Sequence, residues 1–465
     1  MTISGYSMSV LHDLWGAAGM SATALPRLEL TGDDPVLPSS FAVGAAAQAS
    51  IAAAALAATE LGLYRNGARQ GVSVDMRHAA CECTGYFSID GRVPAMWDKL
   101  SGLYRCRDGW VRVHANFAHH RDGALRLLGL PPGPQTERSA MEAALATWDA
   151  LEFEAAAAQA GLVVAAARTF DEWDATPHAR AIAALPLFTL EKIGDAPPRA
   201  LPPLAPGARP LHGVRVLDLT RILAGPVCGR TLAAYGADVM LVNSPTLPNI
   251  ESIIDTSRGK LSCHVDLTTS AGCAALGALL GEAHVMVQGY RPGGLAARGF
   301  GPDDAARIRS GIVYVSLSAY GHTGAWSARR GFDSLVQTAT GFNLAEAAAA
   351  GAEEPRAMPV QIVDYASGFL MAFVAQAALL RQAREGGSWH ARISLAQTGR
   401  WIRGLARVAD GIGIRRPRLD EYLETTQSGW GQLIALRHAA RFSVTPAGWD
   451  RPSVRPGGNP PRWPI

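Results

Sequence analysis

Apolar and polar positions divide the chain into two stretches of different rhythm, separated by a proline-rich break. Beyond the break, Val214-Arg-Val-Leu-Asp-Leu219 has the length and β-branched composition of a buried strand. Residues 225–235 then read as a helix, and Gly236 suits its C-terminal cap. Asp238–Val242, His284–Gln288 and Ile312–Leu317 repeat the strand pattern, with a helix expected over 269–280. Strand and helix alternating at this spacing predict parallel βαβ units with helices on both faces of a sheet. The apolar segment from Tyr365 to Arg381 predicts a buried helix.

Before the break the pattern is mixed. Residues 44–64 form a helix by alanine content. Gly102 to Val113 reads as a hairpin about Asp108-Gly109, and helices are expected over 120–128, 139–160 and 170–184, which together make a small α+β domain. The break itself, Ala196 to Pro210, carries six prolines and predicts an extended linker. The expected organisation is an N-terminal segment 1–40, a first region 41–195, the linker 196–210, an α/β half 211–405 and an extension 406–465. The extension is rich in Arg, Pro and Gly, and its last ten residues should run extended over the surface. Residues 44–79 faintly echo residues 363–398, and an ungapped alignment sets Asp364 opposite Ala45.

Composition narrows the class. Of 465 residues 48% are hydrophobic and 18% charged, enough for a large core, and a formal net charge of +3 gives no reason to expect nucleic-acid binding. The N-terminus lacks the basic start and apolar run of a signal peptide. The most apolar stretch, 41–64, is mostly alanine and includes Gln48, Ser50 and Glu60, so a packed soluble helix is expected and no membrane partner. Cysteines at 81, 83, 106, 228, 263 and 273 form no disulfide pattern, and Cys81-Glu82-Cys83 lacks the companions of a zinc set. A reduced, cytoplasmic protein is expected. One carboxylate stands out: Asp364 opens an otherwise apolar helix, where it would either cap free N–H groups or do chemistry, and residue type alone favours the cap.

The α/β half resembles the family III CoA-transferases of the CaiB/BaiF type. The resemblance rests on Gly213–Thr220, Leu223-Ala-Gly-Pro226, Tyr235–Val239, Arg258-Gly-Lys260, Val265-Asp-Leu267, Tyr290-Arg-Pro-Gly293, Val315–Gly321, Gly331-Phe-Asp333 and Val363–Gly368. Leu103–Trp110 and Pro177–Ala181 resemble the family's C-terminal region, which implies that the two halves stand in swapped order, with one active site per chain. The fold implied is α/β, a Rossmann-like parallel sheet half plus a small α+β domain. The resemblance implies that Asp364 is the nucleophile carrying an aspartyl-CoA thioester, with acyl-CoA and a small carboxylic acid as substrates, no group held covalently at rest, and an interlocked homodimer. By position it places coenzyme A contacts on Leu223, Ala224, Val265, Asp266, Leu267, Thr268, Gly289, Tyr290, Arg291, Arg298, Ser318, Ala319, Tyr320 and Gly321. Arg258, Lys260, Arg291 and Arg298 are the candidate phosphate partners, and Gly368 allows a thioester or a neighbouring helix to approach.

Three features depart from the family: Asn243 stands where Glu is common, Ser318 where some members have Lys, and the glycine-rich loop over the site is not visible. An acyl-CoA racemase of the same fold would need a histidine where Phe332 stands. A non-catalytic CoA-binding protein is the other alternative. A nicotinamide dehydrogenase is disfavoured, since no GxGxxG follows the first strand.

Overall fold

The computed structural model describes residues 4–464. Its centre is a pair of long helices, α1 (Val43–Tyr64) and, much later in the chain, α4 (Ile362–Glu385). Both are long and apolar enough to cross a membrane, yet the most apolar windows of the two are 89% and 100% buried inside the protein. Alanine along α1 removes side-chain bulk, so the two helices bury each other as a core. The N-terminal helix Ser4–Ala17 covers them, with Trp15 stacked on Phe373 at 5.6 Å.

Around this pair runs a seven-stranded sheet. Its strands are β1 (Phe188–Gly194), β2 (Arg215–Leu219), β3 (Asp238–Asn243), β4 (Lys260–His264), β5 (Val285–Gln288), β6 (Val313–Ser318) and β7 (Ser388–Ser394). The spatial order is β4-β3-β2-β5-β6-β7-β1. All pairings are parallel except β7 with β1, which is antiparallel at the edge. β2, β3 and β4 step one way and β5, β6 and β7 the other, so the order reverses between β2 and β5. The helix α2 (Ala224–Ala234) follows β2 and packs against α4, where the contact needs Gly368: a Cβ there would lie 2.5 Å from the Ala224 carbonyl oxygen. Gly368 therefore serves the approach of a helix, not of a thioester. A short helix, α3 (Asp333–Ala339), precedes α4.

The small α+β lobe is a three-stranded antiparallel sheet, Gly102–Arg105, Trp110–Val113 and Val164–Ala166, with its own core and helices. The helix expected over 139–160 is two, Arg138–Leu145 and Ala150–Gln159, and that over 170–184 is Phe170–Asp174 and Pro177–Ala183.

The internal repeat is structural. With no gap in the alignment, α1 begins at the residue matching the start of α4, and the helix Met76–Glu82 at the residue matching the start of Leu395–Gly404. A separate three-stranded sheet repeats the edge of the main one. Leu28–Thr31 lies parallel to Val72–Asp75, and Ala440–Phe442 antiparallel to it, as β6, β7 and β1 are arranged.

The extension is more ordered than its composition suggests. Leu423–Ser428 and Gly431–Leu436 form a hairpin that pairs with Phe87–Ile89. The last residues have no regular structure but are pinned: the Trp463 Nε1–H donates to the Leu279 carbonyl at 2.9 Å. A buried ionic network joins distant segments, with Arg230 bonded to Glu82 (3.0 Å) and to Asp255, Asp255 to Arg258, and Glu82 to His438 (3.1 Å). Glu82 thus belongs to this network.

Candidate active site

A reversal of strand order leaves a crevice beyond the carboxyl ends of the flanking strands. Here that crevice is a cleft of about 320 Å³, and Asp364 lies on it. Segments after β2 (Arg221–Ala224) and β5 (Gly289–Pro292) and the end of β6 (Ser318, Ala319) line it. The loop Arg329–Phe332 and, from the small lobe, Phe117, His119 and His120 line it as well.

The first turn of α4 sets the position of Asp364, which is 7% exposed. Its own backbone N–H donates to Asp333 Oδ2 at 2.8 Å. Asp333, wholly buried, is therefore the cap of this helix, and Asp364 is not. Among the described residues no donor reaches the Asp364 carboxylate. Burial, and then the neighbouring Asp333 charge, hold the Asp364 carboxyl well above its ordinary range. Burial also pushes Asp333 up to about 7, against the opposing pull of the Asp364 and Val363 amides, Gln337 and Arg112. Two carboxyl groups with raised pKa values beside a cleft are a mark of a functional site.

The cleft is otherwise cationic and aromatic. Arg221, Arg291 and Arg330 line it, and among the described residues none of them has an ion-pair partner. Arg221 lies over the Phe117 ring at 5.5 Å with its Nε buried and unbonded. Arg330 donates to His120 Nε2 at 3.3 Å, which makes His120 neutral with its proton on Nδ1. Burial, then His119 and Arg330, pull His120 down to about 3. Phe332 stacks on His114 at 4.1 Å.

Of the residues expected from the sequence, Leu223, Ala224, Gly289, Tyr290, Arg291, Ser318, Ala319 and Asp364 meet in this cleft. Val265 to Thr268 and Arg298 gather farther out, past the end of β4. There the Arg298 Nη1–H donates to the Leu267 carbonyl at 2.7 Å, and Asp266 closes a turn by accepting from the Thr268 hydroxyl at 2.7 Å. Tyr320 and Gly321 do not line the cleft. The Tyr320 side chain packs against Trp326 (5.0 Å), and its carbonyl accepts from His178 Nε2 (2.8 Å). Arg258 and Lys260 are not phosphate partners: Lys260 Nζ is bonded to Asp218 at 2.8 Å with both side chains fully buried, and Arg258 is held by Asp255 and Glu424. Asn243 donates to the Ser262 hydroxyl at 2.9 Å and is buried. Sequence reasoning missed Phe117, His119, His120, Arg221 and Arg330. The adjacent His119-His120 was the available signal, but nothing in its spacing says that it reaches the other half.

The sequence profile of CoA-transferase family III matches the chain in two pieces, residues 10–199 and 211–409. The pieces flank the linker, and the match gives no support to the swapped order. The acetyl-coenzyme A transferase nodX of Hypoxylon pulicicidum is 29% identical over 324 residues, 65% of this chain and 54% of that protein. The succinate–glutarate CoA-transferase of Agrobacterium fabrum is 32% identical over 205 residues, 40% of this chain and 51% of that protein. The crystal structure of Rv3272 from M. tuberculosis shows 32% identity with a TM-score of 0.39, over 43% of this chain and 59% of that one. The chain thus spans about half the length of these curated relatives.

Proposed function

Because the chain belongs to CoA-transferase family III, we propose that it moves coenzyme A from an acyl-CoA thioester to a free carboxylic acid through Asp364. The observation that carries this is the Asp364 carboxylate, turned to a cationic cleft while Asp333 takes up the amide of its helix. The ionised carboxylate attacks the thioester carbonyl, giving a mixed anhydride and the CoA thiolate. The thiolate attacks the aspartyl carbonyl of that anhydride, which leaves an aspartyl-CoA thioester and releases the first acid. A second carboxylate attacks this thioester, and the thiolate then takes the new acyl group and restores Asp364. Each step exchanges an acyl carbon between oxygen and sulfur, so no nucleotide is consumed. The raised pKa makes Asp364 the more basic carboxylate once ionised. Arg221, Arg291 and Arg330 supply positive charge for phosphate and carboxylate groups, and this reading assigns the Val265–Thr268 and Arg298 cluster, past the end of β4, to the far end of coenzyme A.

The proposal includes a cytoplasmic homodimer acting on small acids. All six cysteines are free thiols, which suits a reducing compartment.

Incubation with an acyl-CoA followed by hydroxylamine should yield a hydroxamate at position 364, located by peptide mass. Asp364→Asn should lower transfer by about ten-thousandfold or more. Turnover that survives this change would sink the proposal. Exchange of an α-deuteron without CoA transfer would instead identify a racemase. Coenzyme A binding with neither reaction would identify a binding protein.

A further inference from the structure

In each half of the internal repeat an aspartate from an upstream segment caps the helix, though the two do not align with each other, and only one half carries a second carboxylate. At α1, Asp34 accepts from the Gly44 N–H (3.1 Å) and the Ala45 N–H (2.9 Å). At α4, Asp333 accepts from the Asp364 N–H (2.8 Å), and the Val363 amide acts on it too. The aligned residues are Gly44 with Val363 and Ala45 with Asp364, so each aspartate grips the same amides of an equivalent helix. Where Ala45 follows, no chemistry is possible and the cap is purely architectural. Where Asp364 follows, the same grip spares the nucleophile from capping its own helix.

We propose that Asp333 is a positioning residue of the transferase site, which occupies the first amides of α4 so that the Asp364 carboxylate turns into the cleft. The Asp333 charge beside it also favours the protonated form of Asp364. This rests on the transferase reading of Asp364 given above. The environment of Asp333 supports it. Its helix packs on the small-lobe strand Trp110–Val113, and Arg112 there offsets its charge while Gln337 donates to it. His114 stacks on Phe332, the residue before it. The strand Val164–Ala166 brings no titratable group. Glu346, Arg400 and Arg403, on the other helices nearby, are bonded to Ser39, to the Ala183 carbonyl and to Asp174. Asp333 and Arg112 therefore set the charge that Asp364 meets.

The test uses the full chain, comparing the pH dependence of aspartyl-CoA thioester formation in Asp333→Asn and Asp34→Asn. Removing the charge at 333 removes one of the two causes that hold Asp364 high. The acid limb should move to lower pH by roughly one unit, while the thioester still forms on Asp364 at a reduced rate. Asp34→Asn should lower thermal stability and leave the acid limb in place. Asp333→Ser keeps a neutral cap oxygen and replaces the amide variant if that does not fold. An unmoved acid limb in the folded 333 variant, or an equal movement in Asp34→Asn, overturns the proposal. Turnover surviving Asp364→Asn would instead overturn the transferase reading and leave the capping geometry standing.

Discussion

At the scale of single residues, the Asp364 carboxylate is held at a cost in stability. Asp364 and Asp333 bind protons more tightly in the fold than in the open chain, so native protein carries the extra protons as pH rises from about 4. Stability conferred by the protonated pair is then lost as pH climbs through the folded value, about 7 for Asp333. Asp364→Asn removes the repulsion, and it should unfold at a higher temperature than the native chain at pH 7.5 with a smaller gain at pH 4.5. Equal gains at the two pH values would contradict this account. Asp364 drew notice in the sequence because it opens an otherwise apolar helix, and only the family resemblance turned it from a cap into a nucleophile. Its partner was not: Asp333 lies two helices and a loop upstream, and only the folded chain brings its carboxylate to the amides of α4.

Elements buried on both faces were legible for the reason that apolar runs are. β2, β3, β5 and β6 follow such runs, within a residue or two of the expected ends. β4 was missed because Lys260 opens it, and a lysine in a core strand makes sense only beside Asp218. The edge strand β1 and the hairpin Leu423–Leu436 are half exposed, so threonine, glutamate and lysine break their pattern. The joint between α2 and α4 makes a sharper prediction. Gly368→Ala places a methyl group against backbone that cannot yield, and it should destabilise by about 1–3 kcal/mol. A lowered denaturation midpoint is the readout; an unchanged midpoint would mean that the helices can part.

Across the whole molecule, segments remote in sequence are joined by charge as well as by the core. Glu82 lies before the linker, Arg230 and Asp255 after it, and His438 in the extension. Burial alone would raise Glu82, but His438 and Arg230 bring it down to about 2. The stability it contributes is present above its ordinary value of 4.5 and is lost as pH falls toward about 2. Glu82→Gln leaves Arg230 short of a partner and should cost about 3–5 kcal/mol, with loss of chain integrity toward protease as a second readout. The overall architecture was the hardest part to read, because the repeat aligns α1 with α4 but gives no hint that Leu28–Thr31, Val72–Asp75 and Ala440–Phe442 form a second, shorter sheet.

Phe117, His119 and His120 line the same cleft as Asp364, and they come from the same polypeptide. Diluting the protein therefore does not part these residues. Each molecule thus brings both of these linings to the cleft itself, whatever copies of the chain do to each other.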